Sequence, residues 1–242
     1  MTMKTYKKSL YTDTDTYLCH VFKNREEWLS ARHSLHGIGG SDASAAVGKS
    51  PWRSNIDLWQ IKTGRKDAPD ISDSERVQSG ILEEEPIRRL FQAETRDKYE
   101  VQYVEDAILQ NKKHRELLYS PDGLLIEKET GRKGILEIKT TEIMKSFDRE
   151  KWGTKESPRI PDNYYVQILH GMNVTGFDFV ILYARLKYPD GGLTFRSPDT
   201  YMINRTDDGV QEDLDWIRDG VLKFYGYVKR DEEPPMMTDI NF

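Results

Sequence analysis

The sequence has a single cysteine, Cys19, among 242 residues. One thiol cannot form an intrachain disulfide or a thiolate-clustered zinc site, so a reducing compartment is expected and any metal must be held by oxygen or imidazole. Long apolar runs are also missing. None approaches the roughly 20 residues that cross a bilayer, and the N-terminal stretch MTMKTYKKSLYTDTD carries basic residues with no apolar segment behind them. A soluble intracellular protein with no membrane partner is the expectation. An excess of positive charge is lacking too. With 36 basic and 41 acidic residues the net charge is -5, which argues against coating nucleic acid by bulk charge but not against an enzyme that holds it locally. The five histidines, His20, His33, His36, His114 and His170, show no zinc spacing and no nucleophile partner. Internal repeats, low-complexity tracts and linker-like segments are absent, so residues 1–242 read as one domain.

The chain is 37% hydrophobic and 32% charged, with mean hydropathy -0.74, enough for a core under a heavily solvated surface. Asn24 and Glu27 have capping-box spacing and open a short helix that ends near Ser34. The glycine-rich turn Gly37 to Asp42 leads into a helix over Ala43 to Val47, and Ser54 starts another that Gly64 stops. Helical spacing of Val77, Ile81, Ile87, Leu90 and Phe91 predicts a helix from about Ser74 to Thr95, with Pro86 as a kink or fresh start. Tyr99 to Val104 and Ala107 to Leu109 read as strands, and Asp122 to Glu127 with Gly134 to Thr140 flank a hairpin turn. A helix from Asp162 to Met172, a strand from Phe177 to Ala184, an extended stretch around Thr194 to Ile203 and an amphipathic helix within 205–230 complete the chain. This order predicts an α/β (α+β) fold, a central mixed sheet flanked by helices.

The chemistry-bearing candidates are acidic. In an extended strand Glu137 and Lys139 share one face while Leu136 and Ile138 take the other, apolar one. The hairpin brings Asp122 beside Glu137. Two facing carboxylates repel unless a cation lies between them, and hard oxygen ligands suit magnesium or manganese. A turn aspartate and a surface Glu/Lys pair satisfy the same spacing. Glu84, flanked by Gly80, Ile81, Ile87 and Phe91 at helical spacing, is expected to point inward, where either a shared metal or a nearby arginine would satisfy it. Gln167 lies in the helix that begins near Asp162, where a glutamine is ordinarily just solvated.

In order along the chain, Trp28-Leu-Ser-Ala-Arg32, Gly37-Ile-Gly-Gly-Ser41-Asp42, Gly80-Ile-Leu-Glu-Glu84, Ser120-Pro-Asp122-Gly, Leu136-Glu137-Ile-Lys139, and Tyr165-Val-Gln167 through Met172-Asn-Val-Thr-Gly176 resemble the YqaJ / lambda exonuclease family of the PD-(D/E)xK nuclease superfamily. The match covers about residues 24–185 and leaves 1–23 as an N-terminal extension. The resemblance implies a restriction-endonuclease-like core. It also implies a magnesium-dependent 5'-to-3' exonuclease that degrades one strand of linear double-stranded DNA in phage-type homologous recombination by single-strand annealing. By the same resemblance Asp122, Glu137 and the Ile138 carbonyl are metal ligands, and Glu84 lies near a second ion. Lys139 would orient or deprotonate the attacking water with support from Gln167, and beside a cation its pKa would be lowered. Arg32, Ser41 and Ser120 would grip the terminal 5'-phosphate. The segment between Arg32 and Ser41 is longer than the family pattern. Two Mg2+ ions, replaceable by Mn2+, are the implied cofactors. DNA ends, a single-strand annealing protein and further copies in a trimeric ring are the implied partners, in the cytoplasm of a bacterial cell or phage-infected host. DNA contact is expected from Thr141 to Pro161. Alternatives are an endonuclease or single-strand nuclease of the same superfamily, or a non-catalytic DNA-end-binding module.

Overall fold

Residues 9–69, 74–142, 150–153, 157–187 and 198–237 are described here from a computed structural model. The expectations for residues 143–149, 154–156 and 194–197, and for the side chain of Val77, lie outside the described residues. The chain runs β1 (Tyr17–Val21), α1 (Arg25–Ser34), α2 (Gly40–Ala46), α3 (Asn55–Lys62), α4 (Glu75–Glu94), β2 (Tyr99–Gln102), β3 (Ala107–Asn111), β4 (Leu118–Tyr119), β5 (Gly123–Glu127), β6 (Lys133–Glu142), α5 (Asp162–Thr175), β7 (Phe179–Lys187), β8 (Asp199–Asn204) and α6 (Val210–Arg230).

The main sheet has strand order β2-β5-β6-β7-β8; β6 and β7 are parallel and the other pairs antiparallel. A parallel pair needs a crossover, and α5 lies on the chain path between β6 and β7. Alternation along β7 feeds apolar side chains to both faces. Val180, Leu182 and Ala184 join a core with Leu169 and Met172 of α5, while Phe179, Ile181 and Tyr183 join Ile87 and Phe91 of α4. A smaller antiparallel sheet has order β1-β3-β4. Its first strand comes from the segment expected to be an extension.

Local signals account for several boundaries. Asn24 Oδ1 accepts from the Glu27 amide at 2.9 Å, and Glu27 returns the bond to the Lys23 amide at 3.2 Å, one residue ahead of the expected cap. Ser54 Oγ accepts from the Asp57 amide at 3.0 Å and caps α3. The stripe of Val210, Leu214, Ile217, Val221 and Phe224 is buried along α6, with acidic residues in its first turn and basic ones in its last.

The expectation for α4 needs correction. The helix is continuous through Pro86, and its buried face begins at Ile87; Ile81 is 53% exposed. Ahead of Ile87 polar contacts hold the helix instead. Glu83 receives Lys187 at 2.5 Å and Arg185 at 3.3 Å from the end of β7. Strand β2 stops at Gln102, short of Val104, and the turn that follows contains Asp106 at φ 53°.

Candidate active site

Strand β6 outruns its partner. Strand β5 pairs with β6 only from Lys133 to Leu136, whereas β7 pairs with it as far as Glu142. Past Leu136 the β5-side edge of β6 therefore carries main-chain groups without a strand opposite among the described residues. The N–H and C=O of one strand residue point to the same edge. Ile138 N–H donates to Asp122 Oδ2 at 2.7 Å, so its carbonyl also faces the Asp122 side, where a ligand role is geometrically open.

Asp122 precedes β5 directly, and the Gly123–Leu136 register sets it opposite Glu137. Glu137 is 1% exposed. Its Oε1 accepts from Lys139 Nζ at 2.6 Å and from Gln167 Nε2, and its Oε2 accepts from the Tyr119 hydroxyl. Strand alternation delivers the first of these contacts, since residues 137 and 139 face α5 while Leu136 and Ile138 pack under α4. The carboxylate pair is thus real, and the alternative of an exposed surface Glu/Lys pair does not describe this strand.

Electrostatics follow from that crowding. Burial first, then the Glu137 and Glu84 carboxylates, push the Asp122 carboxyl well above its ordinary range. Burial on its own would lower Lys139, yet Glu137 and Asp122 outweigh it and hold the ammonium above its usual value. Here Lys139 serves as the counter-ion of Glu137.

Glu84 is partly exposed, and of the two partners expected for it the arginine is present: Arg88, one turn on, donates to it at 3.0 Å. The same guanidinium donates to the Asp122 main-chain oxygen at 3.1 Å, which ties α4 to the site through the arginine. Among the described residues no three His, Cys, Asp or Glu side chains gather as a metal cluster. The donor set that does converge, the Asp122 and Glu137 carboxylates with the Ile138 carbonyl, is all hard oxygen, which suits a divalent ion that fills its shell with water or phosphate oxygens.

Arg32, Ser41 and Ser120 come from separate elements. The parallel bridge between Ile38 and Leu117 runs the two segments side by side toward Ser41 and Ser120. Arg32 Nη2 donates to Ser41 Oγ at 3.2 Å, and the guanidinium lies 4.7 Å over the Trp28 ring. Asp42 alongside is held below its ordinary range: burial opposes this, but Lys62 at 3.0 Å, with Arg32 and Arg53, prevails. Ser120 is partly buried two residues ahead of Asp122. His170 lies beneath both segments, its Nε2 at 3.1 Å from the Ile38 carbonyl and 3.0 Å from that of Leu118.

Reading the sequence missed Tyr119 and the position of Arg88. Arg88 had a local signal, its i,i+4 spacing to Glu84. Tyr119 had none, since only the fold brings its hydroxyl to Glu137.

A family model described as the YqaJ-like viral recombinase domain matches residues 27–178. The uncharacterized protein YqaJ of Bacillus subtilis (strain 168) is 33% identical over 156 residues, 64% of this chain and 44% of that protein, so the chain spans under half of that relative's length. Among solved structures, an alkaline exonuclease, LHK-Exo, from Laribacter hongkongensis matches with TM-score 0.55 at 19% identity, over 85% of this chain and 97% of that one. The structure of LHK-Exo in complex with dAMP matches with TM-score 0.56 at 20% identity, over 85% and 95% respectively. At these identities the likeness is one of fold, a restriction-endonuclease-like core. Arg32, Ser41, Glu84, Ser120, Asp122, Glu137, Lys139 and Gln167 all fall within the residues that the family model covers, and the chain belongs to the YqaJ-like viral recombinase domain family.

Proposed function

We propose that the protein is a divalent-metal-dependent exonuclease that removes nucleotides 5'-to-3' from one strand of linear duplex DNA, starting at a 5'-phosphorylated end, for recombination by strand annealing. The observation that carries this reading is the Asp122–Glu137 pair at the open edge of β6, with Lys139 and Gln167 converging on Glu137. Asp122, Glu137 and the Ile138 carbonyl would hold the ion, Mg2+ or Mn2+ in its place. When bound, the ion would neutralise charge on the scissile phosphate and make a water more acidic.

The protein's own groups have separable tasks. Glu137, fixed by Tyr119 and Gln167, presents its carboxylate in one orientation. Lys139 Nζ, 2.6 Å from Glu137 Oε1, is placed to orient or deprotonate the attacking water, or to stabilise charge on the phosphate. Arg32 can fork onto a terminal phosphate that Ser41 and Ser120 also reach, which would bind the end and seat the next phosphodiester bond near Asp122.

The test uses a linear 5'-phosphorylated duplex and a closed circle of the same sequence, each with Mg2+. Digestion of the linear form, survival of the circle and loss of digestion in Lys139→Ala are expected. Cutting of the circle would replace this reading with an endonuclease, and end binding without turnover would replace it with a binding module.

A further inference from the structure

Leu10 and Tyr11 precede the residues that the family model covers, yet both are buried. The segment is pinned. Leu10 N–H donates to Gln102 Oε1 at 2.7 Å, the Leu10 carbonyl accepts from the Tyr17 hydroxyl at 2.6 Å, and Tyr11 N–H donates to Ser9 Oγ at 3.1 Å. Gln102 pairs with Leu124 of β5, so this anchorage sets Tyr11 near the end of β5 where Asp122 lies. Its surroundings agree with that placement. Tyr11 is within electrostatic reach of Tyr103, Asp122 and Arg88, and the Arg88 guanidinium sits 3.4 Å over the Tyr103 ring while donating to the Asp122 carbonyl.

The Tyr11 hydroxyl is buried and has no hydrogen-bond partner among the described residues; the Val104 main chain is within reach but off hydrogen-bond geometry. A buried hydroxyl without a partner is unfavourable, and phenylalanine would fill the same space without that cost. A tyrosine hydroxyl carries a proton to donate, and here no acceptor among the described residues meets it. The acceptor that the fold leaves out is an oxygen brought by a ligand.

We propose that Tyr11 is a positioning residue of the metal site, whose hydroxyl donates to a water in the shell of the divalent ion held by Asp122. The inference rests on the functional reading above and adds to it a group from outside the family match. Its test is Mn2+ binding without DNA, followed by the electron paramagnetic resonance signal of free Mn2+, for the wild type and Tyr11→Phe. Tyr11→Phe is expected to weaken Mn2+ binding by about tenfold, the usual effect of losing a group behind a metal shell, and its melting temperature without metal should equal or exceed that of the wild type. Equal Mn2+ affinity in the two proteins overturns the inference alone. A lowered metal-free melting temperature with unchanged affinity also overturns it, as a packing role. A wild type that binds no Mn2+ overturns the metal site and this inference together.

Discussion

Glu137 is nearly sealed from water, and each of its oxygens has a donor. Removing one donor leaves a buried lone pair unmet, so Tyr119→Phe is expected to destabilise the fold by about 2 kcal/mol in denaturant melts. It should also slow turnover, since the carboxylate loses one of the contacts that orient it. His170 offers a pH test at the same scale. Burial pushes its imidazole from 6.5 down to about 4, against the opposing pull of the Leu118 and Ile38 carbonyls and of Asp42. The unfolded chain takes up this proton near pH 6.5 and the folded chain only near 4. Stability from this group is therefore complete above about pH 6.5 and is lost as pH falls toward 4, by roughly 3 kcal/mol in all. His170→Gln should flatten that part of the stability curve relative to the wild type; parallel curves would refute the assignment.

At the scale of elements, the packing of α2 and α5 around Tyr119 matters most for the site. A Cβ at Gly171 would sit 2.6 Å from the Tyr119 ring, and one at Gly40 would sit 2.8 Å from it. Both helices can close on the ring only because they carry glycine at the contact. Gly171→Ala is expected to cost about 2 kcal/mol through overpacking and to reduce activity more than a Gly80→Ala change, where nothing lies within 4 Å. The strand alternation of Leu136 to Lys139 and the stripe along α6 were legible because each is a local period set by one element. The two-residue β4 was not, because Leu118–Tyr119 is too short to have a period and is defined by pairing with β3. Strand β1 escaped for a related reason, since its partner β3 lies far along the chain. Ile81 misled the reading of α4 because helical spacing says which residues share a face, not how far the sheet extends beneath it.

At the scale of the whole molecule, the two parts of the site belong to different sheets. The segment leading to Ser41 is bridged at Ile38 to Leu117, next to β4 of the small sheet, whereas Asp122 directly precedes β5 and Glu137 lies on β6 of the large one. The short link from Tyr119 to Gly123 joins them, which is why Ser120 and Asp122 lie so close in sequence. The net charge of -5 is compatible with DNA as substrate, because cationic side chains gather around Arg32 and a bound ion would reverse the sign beside Asp122. Arg32→Ala should reduce the preference for 5'-phosphate over 5'-hydroxyl ends and lower the slope of log affinity against log salt by about 0.9, one phosphate contact. An unchanged slope would place the phosphate elsewhere.

The most direct measurement follows nucleotide release from a linear duplex labelled on one strand, comparing 5'-phosphate with 5'-hydroxyl ends, with and without Mg2+, for the wild type and Asp122→Asn. The account predicts release from the 5'-phosphorylated strand that requires Mg2+ and disappears in Asp122→Asn. Release that persists without a divalent ion, or that Asp122→Asn leaves intact, would contradict it.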